Sequence, residues 1–436
     1  MLEQIRNVLM KHSSITGYKV RETQVQSNEL FFIKKNVDMD RAKSVHHFNV
    51  TVYVDFTEGG VKYKGSSTTS IHPTMSNAEV EMAINEAAFA AGFVKNPYYP
   101  LVKPVSSDAA LPRSNFAGES LPYWMNEITK AIYRNDVYEK GGINSCEIFL
   151  DKTVTRIVNS EGVDVTEEGY RCMVEFITTW KEEGEEIELY RCVDCSDFDA
   201  ELLANEVKSM INICKEKAIA ANTPALKTST VILTREAVKD FFAYYCSKSN
   251  ASSVYNHSST WKVGDKIQGE AVKGDLITLT LDPFMKNSTN SEAYDSEGFP
   301  VKPVRIIDRG ELKQYAADTR YAYYLGVPAT GNIGNVIIES GSRTMDELKS
   351  EPYLMTAAFS DFTVDVFTGD FCGEIRLAWY YDGKTTIPVT GGSITGNIAS
   401  LQQELYLSKE RQKDNNFEGP AMIMLKQVTV AGIEAI

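Results

Sequence analysis

Cysteine and histidine are the residue types from which this chain could build a nucleophile or a soft metal site. The sequence contains 7 Cys and 5 His. Cys192 and Cys195 form its one Cys-x-x-Cys pair. A zinc ribbon needs two such pairs, and a thioredoxin-type site needs the pair at the start of a helix that follows a strand. This pair ends a predicted hairpin strand instead, so we interpret both cysteines as structural.

The histidines and glycines do not complete a catalytic or phosphate-binding pattern. His46 and His47 precede a predicted strand, where neighbouring side chains point to opposite faces. The glycine-rich run 326–334 lacks the lysine of a phosphate loop and the spacing of a dinucleotide-binding fold. The sequence has no Gly-x-Ser-x-Gly elbow. A Ser-His-Asp arrangement assembled from distant parts of the chain stays open as an alternative.

The charge balance argues against two classes of partner. Lys and Arg number 45 and Asp and Glu number 59, which gives a net charge of −14. Nucleic-acid binding depends on clustered basic residues, so we expect no nucleic acid and no anionic membrane among the partners. No apolar run approaches the roughly 20 residues that span a bilayer. The charged residues near the N-terminus do not fit a signal peptide, and the odd cysteine count indicates a reducing, cytoplasmic location.

The elements that must position any site are predicted from hydrophobic periodicity. Two β-rich runs, 46–57 and 61–70, surround Glu58-Gly59-Gly60 and predict a hairpin. Ser76 to Glu79 is a capping box that opens a helix. The alternating run from Tyr170 to Trp180 predicts a half-buried strand, which a turn at Glu182–Glu185 joins to a partner strand and then a long helix.

These elements predict an α+β fold with two small N-terminal α+β units followed by a large β-rich C-terminal domain with a few helices. The first unit covers residues 1–94, and a linker rich in proline and serine covers 95–116. The second unit covers 117–222 and the C-terminal domain 223–436. The strand-like runs of that last domain lie near residues 276–281, 301–308, 336–340, 353–367, 373–381 and 421–432.

An ordered series of short motifs resembles the TldD/PmbA family of peptidase-associated proteins, which also carries the older label of modulators of DNA gyrase. The segments are 64–67, 159–162, 295–300, 306–310, 312–315, 322, 325–326, 330–332, 369–371, 382–384, 388–391 and 396–397. Their order and spacing carry the resemblance, which is strongest over residues 228–435. The resemblance makes seven motif residues candidates for peptide binding: Asp295, Glu297, Gly298, Gly331, Asn332, Gly391 and Asn397.

The resemblance implies one of two branches. TldD-like members carry a His-Glu-x-x-x-His zinc motif on a helix that follows a β-strand, and they add a cysteine ligand near the C-terminus. PmbA-like members, also called TldE, lack these ligands. In known pairs the two form a heterodimer that degrades unfolded peptides and trims peptide precursors.

The helix that matches the zinc motif departs from it at both histidines. Glu236 stands where the family has its general base, while Arg235 and Asp240 stand where the family has histidine. Arginine stays protonated and has no lone pair for zinc. The stretch 416–426 contains no cysteine, so at least two of the three protein ligands of a catalytic zinc site are absent. We expect Thr234 to cap this helix, and four of its residues to point inward: Val238, Phe241, Phe242 and Tyr245.

The resemblance therefore implies a non-catalytic PmbA/TldE-like subunit with no metal and no other cofactor. Its expected partners are a TldD-type zinc peptidase subunit or a second copy of itself, together with unfolded peptides that the complex encloses for degradation or precursor maturation. Extended peptides are commonly held by strand addition at a sheet edge. Two alternatives remain, a stand-alone homodimeric peptide-binding protein and an autonomous hydrolase that uses non-zinc chemistry.

Overall fold

The computed structural model describes residues 1–107, 109–182 and 186–433. Within these ranges the chain forms an α+β fold with a seven-stranded, a six-stranded and an eight-stranded sheet. The α-helices are α1 Leu2–Lys11, α2 Asn77–Ala91, α3 Leu121–Tyr133, α4 Ala200–Ala218, α5 Glu236–Lys248, α6 Ala251–Tyr255, α7 Thr319–Leu325, α8 Met345–Leu348 and α9 Ile398–Leu401.

The strands are numbered in chain order. Those of the N-terminal half are β1 Gly17–Ile33, β2 Asn36–Glu58, β3 Val61–Ile71, β4 Asn96–Pro97, β5 Gly141–Asn159, β6 Asp164–Lys181 and β7 Glu186–Cys195. Those of the C-terminal half are β8 Ala221–Asn222, β9 Lys227–Thr234, β10 Leu279–Leu281, β11 Val304–Asp308, β12 Glu311–Leu312, β13 Val336–Ile338, β14 Tyr353–Val364, β15 Asp370–Tyr381, β16 Thr386–Thr390, β17 Ser393–Asn397, β18 Leu405–Leu407, β19 Arg411–Asp414, β20 Phe417–Pro420 and β21 Met422–Ala431.

One antiparallel sheet joins the two N-terminal units. Its strand order is β4-β3-β2-β1-β5-β6-β7, and the pairing of β1 with β5 over fifteen residue pairs, from Lys19↔Asn159 to Ile33↔Ser145, connects the units. Side chains alternate between the two faces of a strand. Val20, in the core beneath α1 and α2, and Phe32, in the core beneath α3 and α4, are both even positions of β1. All four helices therefore cover the same face of this sheet.

The C-terminal domain contacts the opposite face of the same sheet. Lys19, an odd position of β1, forms an ion pair with Glu297. Gly298 lies so close to Val163 that a built Cβ atom would meet the valine side chain at 2.6 Å. Gly298 also has a φ of 76°, which favours glycine. Near Lys19 the N-terminal sheet thus lies between its own helices and the C-terminal domain, while Ala357 and Leu377 of that domain also pack in the core beneath α3 and α4.

The C-terminal domain is built from two sheets around one core. The eight-stranded sheet has the order β14-β9-β21-β17-β15-β16-β8, with β18 paired to β21, and the six-stranded sheet has the order β12-β11-β10-β13-β20-β19. Residues from both sheets and from α5 share one hydrophobic cluster, with Phe241 of α5 packed on Phe371 of β15 and Phe242 on Phe417 of β20. The core therefore fixes α5 between the sheets.

Where a local sequence signal is strong, the element that it predicts is observed. The hairpin turn falls between Glu58 and Val61, and the Ser76–Glu79 capping box forms at the start of α2. The predicted α+β class is confirmed. Of the predicted turn at Glu182–Glu185, residues 183–185 lie outside the described residues. Within the described ranges, no helix is both long enough and apolar enough to cross a membrane.

Candidate functional site

The strand β9 leads directly into α5, the helix that matches the zinc motif. Arg235 lies between them with φ 58° and ψ −133°, and it caps the helix without a side-chain hydrogen bond. The expectation that Thr234 caps α5 is wrong. Thr234 is still part of β9, and its hydroxyl donates a hydrogen bond of 2.6 Å to the carbonyl of Thr356 on β14. The hydroxyl that would cap α5 is instead bonded to the neighbouring strand β14.

The face of α5 that points into the core is the face predicted from the sequence. The four side chains expected to point inward are buried: Val238, Phe241, Phe242 and Tyr245. The hydroxyl of Tyr245 donates to Oε1 of Gln402 at 3.1 Å. This buried aromatic face fixes the helix, so the residues of its first turn have a defined position relative to the neighbouring elements.

The first turn of α5 belongs to an ionic cluster that we call the arginine cluster, made of Arg191, Glu206, Arg235, Glu236 and Asp414. Arg191 lies at its centre on β7, with its side chain 14% exposed. Its Nε donates to Glu206 of α4 at 2.7 Å, and its terminal nitrogens contact Glu236 and, at 3.4 Å, Asp414. Three carboxylates from α4, α5 and β19 thus surround one guanidinium.

Arg235 adds the second cation of the cluster. Its guanidinium pairs with Glu206, lies 3.6 Å from a carboxylate oxygen of Glu236 and donates to the hydroxyl of Ser209 at 3.3 Å. Its backbone carbonyl accepts a hydrogen bond of 3.0 Å from the side chain of Gln412. Arg235 is therefore directed towards α4 and away from Asp240, its counterpart at the other histidine position.

The charges of the arginine cluster stabilise each other. Burial by itself would lower the pKa of Arg191, but the three surrounding carboxylates outweigh burial and hold that pKa above its usual range. Burial would raise the pKa of Glu206, but its two arginine partners lower it. Opposite charges at this range favour the ionised forms. Both groups are therefore ionised at neutral pH.

Asp240 follows Glu236 by one helical turn and behaves differently. The pKa of Asp240 is raised to about 6, mainly by burial; Lys239 opposes the shift, and the negative charges of Glu236 and Asp414 add to it. A carboxyl with a raised pKa keeps its proton up to a higher pH than an ordinary carboxyl does. The second histidine position of the motif therefore carries a half-buried carboxyl with a raised pKa beside the arginine cluster.

The residues present do not fit a catalytic zinc ion. Such a site takes three neutral or anionic protein ligands and leaves one position open. Here the guanidinium of Arg191 occupies the space between three carboxylates, and Arg235 brings a second positive charge. In the described part of the chain, no three His, Cys, Asp or Glu residues are arranged as a metal-ligand set. The cluster is an ionic network in which two arginines pair with three carboxylates.

A cavity of about 380 Å³ opens beside the arginine cluster, between the end of β7, the start of α4 and the turn after β19. Three members of the cluster line it, together with acidic side chains from the β7–α4 connection and Lys413. Burial lowers the pKa of Lys413. The acidic residues on its wall are Asp194, Asp197, Asp199, Glu206 and Asp414. Their excess favours a positively charged ligand group.

Five of the seven candidate peptide-binding residues meet in one place. Asp295 is 1% exposed, and one of its oxygens accepts the backbone N–H groups of Glu297 and Phe299 at 2.9 and 3.0 Å. Its other oxygen accepts the N–H of Asn332 at 3.2 Å. The same loops carry the glycines at 298 and 331, both with φ 76°. Asp295 thus joins the loop of Gly298, which packs against Val163, to the loop that carries Asn332.

The remaining two candidates lie in the eight-stranded sheet. Gly391 follows β16 with a φ of 76°. Asn397 ends β17 and caps α9, where its side-chain oxygen accepts the N–H of Ser400 at 3.1 Å and its amide donates to Asp370 at 2.8 Å. These contacts hold turns in place, and a role of the seven residues in peptide binding stays a prediction.

Sequence reasoning identified Arg235 and Glu236 but missed the other three members of the arginine cluster. Arg191 and Asp414 are 223 positions apart, and neither belongs to a motif of the resemblance. The one available signal was an arginine on a strand that is otherwise half apolar. A charge in that setting needs a partner, but the sequence does not say which.

Comparison with known proteins finds one family whose model matches the C-terminal part of the chain. Residues 227–432 match the family described as the PmbA/TldA metallopeptidase C-terminal domain. A zinc metalloprotease TldD homolog from Saccharolobus solfataricus is 32% identical over 236 residues, which cover 50% of this chain and 51% of that protein. The chain thus spans about half the length of this curated relative.

Two crystal structures share the fold over nearly the whole chain. TldE from Thermococcus kodakarensis superposes with a TM-score of 0.79 at 18% identity, covering 98% of this chain and 100% of that one. A Thermotoga maritima protein described as a modulator of a DNA gyrase gives a TM-score of 0.77 at 14% identity, covering 99% and 100%. The two structures show the fold of the chain, and the predicted resemblance to the TldD/PmbA family is confirmed by the match of residues 227–432 to that family's C-terminal domain.

Proposed function

We propose that this chain is a non-catalytic, PmbA/TldE-like subunit that acts in the cytoplasm with a TldD-type zinc peptidase subunit. Its role is to bind and help enclose unfolded peptides. The observation that carries the proposal is the arginine cluster, in which the carboxylate at the family's general-base position contacts Arg191 and Arg235.

A general base must be free to take a proton from the attacking water. The carboxylate oxygens of Glu236 are instead engaged by Arg191 and Arg235. Amide hydrolysis of this type also depends on a metal that lowers the pKa of bound water. The residues of this site do not fit such a metal, so we assign the hydrolysis to the partner subunit.

Peptide contact is assigned to the surface around the arginine cluster. The adjoining cavity is rich in carboxylates, and it lies where the N-terminal sheet meets the C-terminal domain. A peptide amino terminus or a basic side chain would complement that charge. The cavity gives the proposed subunit a binding surface of fixed shape without a reactive centre.

Metal content tests this proposal. After dialysis, elemental analysis of the purified chain is expected to find well under one zinc per chain, because Arg191 and Arg235 pair with the carboxylates that would otherwise attract the ion. The matched comparison is the Arg191→Met variant, in which the carboxylates lose their central cation. About one zinc per wild-type chain, lost in the Glu236→Gln or Asp240→Asn variant, would show that the site is a metal centre after all.

A further inference from the structure

Two cysteines face each other across the strands β6 and β7. Cys172 of β6 lies directly opposite Cys195 of β7 in the antiparallel register. The Cα atoms of opposed residues in such a pair are about 4.5 or 5.5 Å apart, and a disulfide bridges Cα atoms that are about 4.4–6.8 Å apart. The interaction of the two side chains, together with burial, raises the pKa of Cys172. The strand register therefore already holds these two thiols at a distance that a disulfide can bridge.

The Cys-x-x-Cys spacing does not make Cys192 the partner of Cys195. Side chains three positions apart on a strand point to opposite faces, and Cys192 lies opposite Glu175 of β6. Cys146 on β5 is also too far away, because it lies opposite a residue of β6 that is four positions from Cys172, which is about 13 Å along the strand. Cys172 is therefore the thiol that Cys195 can reach, and the spacing in the sequence does not indicate it.

Both thiols line the acidic cavity beside the arginine cluster. Cys195 is half-buried, whereas Cys172 is 1% exposed, so a reagent that enters the cavity meets Cys195 first. Five carboxylates line the cavity, against two cations, Arg191 and Lys413. A cleft with an excess of one charge concentrates ions of the opposite charge. The wall therefore favours a reagent that carries positive charge.

We propose that Cys172 and Cys195 form a reversible redox pair, and that small disulfides bearing amino groups are the reagents that oxidise it. Disulfides of cytosolic proteins are usually transient, and they act in catalysis or in redox sensing. The proposal concerns the two thiols and the wall of the cavity. It does not depend on a role of the chain in peptide binding, so its failure would leave the proposed function untouched.

Oxidation takes place in two thiol–disulfide exchanges. In the first, Cys195 loses its proton to water and attacks one sulfur of the reagent R–S–S–R. The S–S bond of the reagent breaks, and R–S⁻ leaves and takes up a proton. In the second, Cys172 loses its proton and attacks the sulfur of Cys195 in the mixed disulfide, which releases the other R–S⁻ as a thiol. Two protein thiols are oxidised, one reagent disulfide is reduced to two thiols, and an excess of the thiol R–SH reverses both steps.

Cystamine, a small disulfide with two amino groups, tests the pair. The chain carries Cys372→Ser, which removes its exposed cysteine. Peptide mapping of the non-reduced chain by mass spectrometry is expected to show a disulfide between positions 172 and 195. Cys172→Ala should stop at the mixed disulfide on Cys195, because the second thiol is missing, and Cys195→Ala should leave Cys172 unmodified. Cys192→Ala is the control and should form the disulfide at an unchanged rate.

The charge of the reagent tests the role of the cavity wall. Dithiodiglycolate is a small disulfide with two carboxylates, and each reagent's rate with the folded chain is divided by its rate with the urea-unfolded chain. At low ionic strength the corrected rate for cystamine should be at least about tenfold higher, and salt should reduce the difference. Equal corrected rates would overturn the choice of reagent. A disulfide between positions 192 and 195, or one that forms only when urea unfolds the chain, would overturn the redox pair.

Discussion

Replacing Arg191 by methionine is expected to destabilise the folded chain by about 3 kcal/mol. The guanidinium is only 14% exposed and contacts Glu206, Glu236 and Asp414. Methionine fills a similar volume but leaves three carboxylates near one another with Arg235 as their remaining cation. Removing one partner of a buried ion pair costs more than the pair contributes, because the other charge stays buried. Urea unfolding at neutral pH measures the loss.

The matched control is Arg171→Met on the neighbouring strand β6. Arg171 pairs with Asp194 at 2.9 Å, but its side chain is 53% exposed, so its loss should cost at most about 1 kcal/mol. Equal losses for the two variants would contradict the central position of Arg191.

The dependence of stability on pH should also differ between the wild-type chain and the Arg191→Met variant. The pKa of Glu206 is lowered in the folded chain, so its stabilising contribution is present above the ordinary pKa of a glutamate, about 4.3. That contribution is lost as the pH falls through the lowered value. The stability difference between wild type and Arg191→Met should therefore shrink in acid. A difference that stays constant from neutral pH down to about pH 3 would contradict the ionic origin of the effect.

Replacing Gly65 by alanine is expected to destabilise the N-terminal sheet by at least about 3 kcal/mol, or to prevent folding. Gly65 lies on β3 where the end of α2 crosses it. A built Cβ atom would lie 1.8 Å from the carbonyl oxygen of Ala91 and 3.0 Å from that of Val94. Both obstacles are backbone atoms, which cannot rotate away as a side chain could. Thermal unfolding followed by circular dichroism measures the effect.

Gly169→Ala is the control for this prediction. Gly169 also lies within a strand, β6, but a built Cβ atom there meets nothing within 4 Å. Alanine at this position should change the stability by less than about 0.5 kcal/mol. A Gly65→Ala variant as stable as Gly169→Ala would mean that α2 crosses the sheet at a greater distance.

Strong local signals were sufficient to predict much of the fold. The hairpin at Glu58–Val61 and the capping box of α2 both depend on residues within one turn of each other. β1 and β5 were missed. β1 carries polar residues on both faces over much of its length, as in Arg21 to Asn28, so its alternation is weak. Its stability comes from pairing with both β2 and β5 along almost its whole length.

The candidate site could be predicted only in part, because most of its contacts join residues that are far apart in the chain. The motif comparison located Arg235 and Glu236, because neighbouring positions on one helix can be read from the sequence. Arg191, Glu206 and Asp414 lie on three other elements. Only the packing of β7, α4 and β19 around α5 brings their charges together, and no local pattern encodes that arrangement.

Peptide cleavage by the purified chain, alone and with a TldD-type zinc subunit, tests most directly whether Glu236 is held in an ionic cluster without catalytic use. An unfolded peptide is the substrate, and Glu236→Gln in this chain is the variant. We expect no cleavage by the chain alone, cleavage once the zinc subunit is added, and nearly unchanged combined activity with Glu236→Gln. Chelator-sensitive cleavage by this chain alone, abolished by Glu236→Gln, would contradict this account.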